Sequence, residues 1–308
     1  MNSNKVNMKV RLALLIVLVL AISAVVSAAV SGPAIHLDLI GRYETGVFAE
    51  GAAEIVAFDA DSTRLFVINA NAGRVDVLDL SDPANPALLS PIDLPEFSGG
   101  INSVAVHDGL VVVAAQNEEK TVPGQAVFLD TDGNLLNAVT VGALPDMVTF
   151  SPDGRYVLVA NEGEPNDDYD VDPEGSVSII DLSGGVANLT QADVRTASFA
   201  KFNGRPIDPL IRVFGPNATV AQDLEPEYIA ISADSRIAWV TLQENNALAI
   251  IDIASANVVA LRALGLKDHS QPGSGLDASD RDDAINIANW PVYGMYMPDA
   301  IAAFTSRG

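Results

Sequence analysis

Glu54-Ile55-Val56-Ala57-Phe58, Arg64-Leu65-Phe66-Val67-Ile68-Asn69 and Arg74-Val75-Asp76-Val77-Leu78-Asp79 follow one another with only short turns between them. Each is an apolar run of strand length, and the third alternates with a period near two. The first run opens on an acidic residue, the second closes on an amide and the third closes on Asp. The pattern returns from Asn102-Ser103-Val104-Ala105-Val106 through Gln125-Ala126-Val127-Phe128-Leu129-Asp130. It returns again from Asp146-Met147-Val148-Thr149-Phe150 through Ser176-Val177-Ser178-Ile179-Ile180-Asp181, and from Glu227-Tyr228-Ile229-Ala230-Ile231 through Ala249-Ile250-Ile251-Asp252. Asp59-Ala60-Asp61-Ser62, Asp108-Gly109, Ser151-Pro152-Asp153-Gly154 and Ser232-Ala233-Asp234-Ser235 join first runs to second runs with residues that favour tight turns. Repeats of about 40–50 residues with four strands each mark a β-propeller. The expected fold is all-β, built from four-stranded blades.

The spacing is uneven. Glu54 to Asn102 and Asn102 to Asp146 are each one blade, but Asp146 to Glu227 is much longer. The excess lies in residues 162–175 and 184–222, and another, 265–297, precedes Asp299. Long insertions in a compact array are usually functional or disordered. Ile35-His36-Leu37-Asp38-Leu39-Ile40 reads as a lone fourth strand, and Pro298-Asp299-Ala300-Ile301-Ala302-Ala303-Phe304 as a lone first strand. The partner strands are missing, so the sequence reads as a partial array, incomplete on its C-terminal side.

Lys5, Lys9 and Arg11 precede an apolar run over 12–26, and Val26-Ser27-Ala28 offers small residues for cleavage. This reads as a signal peptide over 1–28, leaving 29–308 as the propeller domain. A membrane anchor is the competing reading, but the run is short for a span. A secreted, periplasmic or cell-surface protein with no membrane span after cleavage is expected. The chain has no cysteine, so large buried sheets must supply its stability. Seventeen basic against 40 acidic residues give a net charge of −23, which excludes nucleic acid as a partner and attracts cations. Adaptation to a saline habitat explains the same charge.

Three acidic groups are candidate sites. Residues 162–174 carry Glu162, Glu164, Asp168, Asp170, Asp172 and Glu174. Alternating Asp residues on an extended loop turn their carboxylates to one side, and Ca²⁺ takes six to eight oxygens. A solvated acidic loop is the competing reading. Asp277, Asp280 and Asp282 form a second candidate, with Arg281 able to neutralise one of them. The third is positional: Glu54, Asn102, Asp146, Glu227 and Asp299 occupy one place in successive repeats. First strands line a propeller's channel, so these residues form a ring at one mouth, the ligand face, unless each caps a turn. The insertions 162–175 and 265–297 are expected to overhang it. His36, His107 and His269 are too scattered for zinc.

Gly51-Ala52-Ala53-Glu54-Ile55-Val56-Ala57-Phe58, Ala160-Asn161-Glu162-Gly163-Glu164-Pro165 with Asp172-Pro173-Glu174-Gly175-Ser176, and Gly275-Leu276-Asp277-Ala278-Ser279-Asp280-Arg281-Asp282 carry a family resemblance, continued by Trp290-Pro291-Val292-Tyr293-Gly294-Met295-Tyr296-Met297-Pro298-Asp299-Ala300. They resemble the choice-of-anchor I family of exported bacterial proteins, which is similar to mesenchyme-specific cell-surface glycoproteins of biomineralising sea-urchin cells. The resemblance covers essentially the whole mature chain. It implies a seven-bladed propeller when complete, and members longer than this chain. It delivers no activity.

The leading expectation is an exported, non-catalytic propeller that binds a ligand or surface, with Ca²⁺ ordering its acidic loops. The ligand classes in view are a carbohydrate, a phosphate ester and a mineral surface. The alternative is a calcium-dependent phosphoric-ester hydrolase, phosphatase or phytase-like, in which cations hold phosphate and activate water. That reading needs a basic residue near the acidic cluster to grip phosphate, and Arg205, Arg212 and Arg281 are the nearby candidates.

Overall fold

The computed structural model describes residues 35–97 and 99–306. The signal-peptide reading therefore lies outside the described residues. The chain divides into two units, 1–40 and 41–308. Of the first, residues 35–40 are extended, with Ile35, Leu37 and Leu39 exposed. They join no ladder, so the expected fourth strand is not formed there.

The second unit contains four antiparallel sheets of four strands, each in sequence order. The first is β1 (Val56–Asp59), β2 (Arg64–Asn69), β3 (Arg74–Asp79) and β4 (Ala87–Asp93). The second is β5 (Ile101–His107), β6 (Leu110–Ala115), β7 (Pro123–Asp130) and β8 (Leu135–Ala143). The third is β9 (Pro145–Phe150), β10 (Tyr156–Asn161), β11 (Ser176–Asp181) and β12 (Val194–Ser198). The fourth is β13 (Pro226–Ile231), β14 (Ile237–Leu242), β15 (Ala247–Asp252) and β16 (Asn257–Ala263). The fold is all-β and propeller-like.

The middle strands are apolar without interruption because both of their faces are buried. In β6, Val111, Val113 and Ala115 enter one core while Val112 and Ala114 enter the next. In β10, Leu158 and Ala160 face the fourth sheet's core, and Val157 and Val159 face the second's. Each such Val or Leu side chain contributes about 1.5–3 kcal/mol of burial. The amides that close second strands act as rivets. Asn161, fully buried, accepts from Gly142 N–H (3.0 Å) and donates to Ser178 Oγ (3.0 Å). Asn69 donates to Asp76 (2.8 Å).

The 184–222 excess supplies 3₁₀ turns on both sides of β12 and one short helix, α1 (Val220–Asp223). The 265–297 excess is a two-tiered hairpin, pairing β17 (Leu266–Asp268) with β20 (Tyr293–Met295) and β18 (Leu276–Asp277) with β19 (Ile287–Ala288). Residues 298–304 join no ladder, against expectation. Ile301 to Phe304 instead roof Ala230, Trp239 and Leu248 over a cavity of about 340 Å³. No described helix is long and apolar enough to cross a membrane.

Candidate functional site

The five positional residues meet. Glu54, Asn102, Asp146, Glu227 and Asp299 line one cavity of about 500 Å³. Asn102 opens β5, Asp146 sits in β9 and Glu227 in β13, so the same register point of successive sheets reaches one mouth. They are not equivalent. Asn102 donates to Pro145 O and Gln116 Oε1, both at 3.0 Å, and ties the second sheet to the third. Glu54 and Asp299 are exposed, whereas Asp146 and Glu227 are half-buried.

Glu162 joins this group from the insertion. It follows the last residue of β10, and its N–H donates to Leu144 O (2.9 Å). Gly175 lets the backbone close behind it: a Cβ there would lie 1.9 Å from Leu224 O and 2.8 Å from Glu162 O. Carboxylate oxygens of Asp146, Glu162 and Glu227 lie within 4.8 Å of one another. No other group of three or more His, Cys, Asp or Glu ligands converges this way among the described residues.

The electrostatics follow from that crowding. Burial, reinforced by Asp299, Glu164 and Glu54, pushes the Asp146 carboxyl up to about 6. Burial and then Asp146 raise both Glu162 and Glu227 well above the usual carboxylate range. A cation relieves this repulsion, and three carboxylates leave ligand positions of a hard cation open.

The rest of residues 162–174 disperses. Asn166 Oδ1 accepts from Asp170 N–H (3.1 Å) and Val171 N–H (3.2 Å), closing a turn. That turn leaves Asp168, Asp170 and Glu174 exposed. Glu164 accepts from Lys120 Nζ (2.9 Å), and Asp172 faces a second cavity. The six carboxylates therefore do not converge on one point, contrary to expectation. Asp277, Asp280 and Asp282 do not converge either. Asp277 accepts from Asn286 N–H (3.0 Å), Asp282 accepts from Ala284 N–H (3.2 Å), and Asp280 and Arg281 are over 90% exposed. Local backbone donors hold the first two in their turns. The expected overhang by both insertions is also corrected. Residues of 162–175 and of 184–222 line the second cavity but not the mouth, which Glu162 reaches beside Asp146 and Glu227, and those of 265–297 line neither.

Sequence reasoning missed the second cavity, of about 390 Å³, where Lys120, Glu164, Asp172, Asp223, Glu225 and Glu244 gather. Lys120 is the one basic residue lining either acidic cavity; Arg205, Arg212 and Arg281 line neither. Lys120 lies in the β6–β7 loop and is brought to Glu164 only by the packing of the second sheet on the third. Glu225, two residues before Glu227, is the one signal the sequence offered.

Among solved structures, this chain is similar to hydrazine synthase of Kuenenia stuttgartiensis (15% identity, TM-score 0.37, 65% of this chain and 64% of that one). It is similar to a functionally unknown protein from Desulfotomaculum acetoxidans (17%, TM-score 0.46, 69% and 58%) and to a chain of the nidogen/laminin complex (12%, TM-score 0.42, 70% and 65%). It thus spans less than two thirds of the length of each. No curated protein matches. The model of the choice-of-anchor I domain matches residues 54–308, the whole four-sheet array and both insertions, and the chain belongs to that family.

Proposed function

We propose that this protein is an exported, non-catalytic propeller that binds its ligand or surface at the first-strand mouth through a held divalent cation, Ca²⁺ by the all-oxygen donor set. The observation that carries the reading is the convergence of Asp146, Glu162 and Glu227 within 4.8 Å. Those three residues are the ligand candidates, and Glu54 and Asp299 flank them. Three carboxylates on a Ca²⁺ ion leave coordination positions for water or for oxygens of a carbohydrate, a phosphate ester or a mineral face. Membership of the choice-of-anchor I family supports an extracellular or cell-surface setting.

Isothermal titration of Ca²⁺ into the metal-free protein tests the reading. One saturable site is expected, abolished in Asp146→Asn/Glu227→Gln and kept in Asp168→Asn/Asp170→Asn. Titration heat lost in the second double variant and kept in the first would move the site to the loop and overturn the assignment.

A further inference from the structure

The second cavity carries features that the cation triad leaves unexplained. Glu225 lines it and is 8% exposed, yet its carboxylate accepts no hydrogen bond among the described residues. Asp172 also lines it, and its Oδ1 is buried with no partner. A buried carboxylate without a donor is costly, and one that lines a cavity calls for a ligand that brings donors and positive charge. Two of the neighbouring acids are already engaged. Asp223 accepts from the N–H groups of Phe214 (2.7 Å) and Gly215 (2.5 Å), and Glu164 is held by Lys120.

The shape of the cavity selects among cations. Its carboxylates do not approach one another as closely as those of Asp146, Glu162 and Glu227, so they do not form a direct metal shell. The volume of about 390 Å³ suits a small organic molecule. Two aromatic rings, Tyr169 and Phe214, stand in the wall. Tyr169 is held at φ +56°, a left-handed conformation unfavourable for a bulky side chain, by the turn that Asn166 closes. An aromatic face beside carboxylates is the environment that holds an ammonium group.

We propose that this cavity binds a small organic amine, its ammonium donating to Glu225 and Asp172 and its alkyl chain lying against Tyr169 and Phe214. The site is distinct from the mouth triad, with its own lining residues.

Calorimetry with 1,4-diaminobutane tests this, with 1,4-butanediol as the uncharged control of equal length and saturating Ca²⁺ present throughout. Saturable binding of the diamine, no binding of the diol, and at least a tenfold loss in Glu225→Gln are expected. Tyr169→Ala, at an exposed loop tip, gives a second variant that folds independently of the buried acid, and a severalfold loss is expected there. No diamine binding to the wild-type chain, equal binding of the diol, or unchanged affinity in both variants would overturn the proposal. Ca²⁺ binding measured in the same samples reports on the mouth triad separately.

Discussion

Carboxylates at the two ends of the strands behave oppositely. Where third strands end, Asp side chains meet backbone donors. Asp252 accepts from Ser255 N–H (2.9 Å) and Oγ (2.6 Å), and Asp130 accepts from Asn134 N–H (2.8 Å). Hydrogen bonds from Ser255 and from Asn134 hold Asp252 and Asp130 below the usual carboxylate range. At Asp181 burial pushes upward, but the Ser183 and Arg155 hydrogen bonds outweigh it and bring the carboxyl to about 2. Where first strands begin, Asp146, Glu162 and Glu227 crowd together and their acidities shift the other way. One residue class therefore does two jobs. At the turns its charge stabilises the chain, and at the mouth it destabilises the chain until something positive arrives.

The largest expected effect that sharpens this contrast is cation-linked stability. Ca²⁺ at a thousandfold excess over its Kd should add about 4 kcal/mol to unfolding, reversed by a chelator and read from thermal melts. A Tm indifferent to Ca²⁺ would break the contrast at its functional end. Next, Glu162→Gln should weaken Ca²⁺ binding by about thirtyfold in equilibrium dialysis, while raising the Tm of the metal-free protein by relieving repulsion. A lowered metal-free Tm would mean that Glu162 is structural.

Smaller again is the turn end. Asp252→Ala should cost about 1 kcal/mol in urea unfolding and leave Ca²⁺ affinity unchanged. The pH profile is the finest test. Carboxyls raised on folding hold protons that the unfolded chain has lost, so their stabilisation is complete below the ordinary carboxylate range. It is lost as pH rises through their folded values, about 6 for Asp146. Turn carboxyls such as Asp181 act conversely, losing their contribution as pH falls toward about 2. The metal-free protein should be most stable at mildly acid pH, with its Tm lower by about 1–2 °C at neutral pH. Ca²⁺ should move that optimum upward, because it competes with the same protons. A metal-free optimum at or above neutral pH would contradict the assignment of charge at the mouth.

The array was legible because its physics is local. Strand-length apolar runs and Ser-Pro-Asp-Gly and related turns each act within one hairpin. The first-strand register also located Asp146 and Glu227, since one position in a repeat maps to one place in the array. What failed was any inference about where a loop carboxylate points. Asp168, Asp170 and Asp172 alternate in sequence, but the Asn166 side chain closes a turn that sends the first two outward. Glu162 belongs to the mouth because it adjoins the buried Asn161, not because it begins an acidic run. Lys120 and Glu244 were invisible because loops from different sheets meet there, and no spacing within one repeat encodes that meeting.

The central claim is that Asp146, Glu162 and Glu227 hold a divalent cation. Anomalous diffraction from crystals grown with Mn²⁺ as a stand-in for Ca²⁺ tests it most directly. The account predicts a peak at the first-strand mouth, bonded to carboxylate oxygens of all three residues at about 2.0–2.6 Å. A mouth without a peak, with the ion instead at the Asp168–Asp172 turn or the Asp277–Asp282 tip, would contradict it.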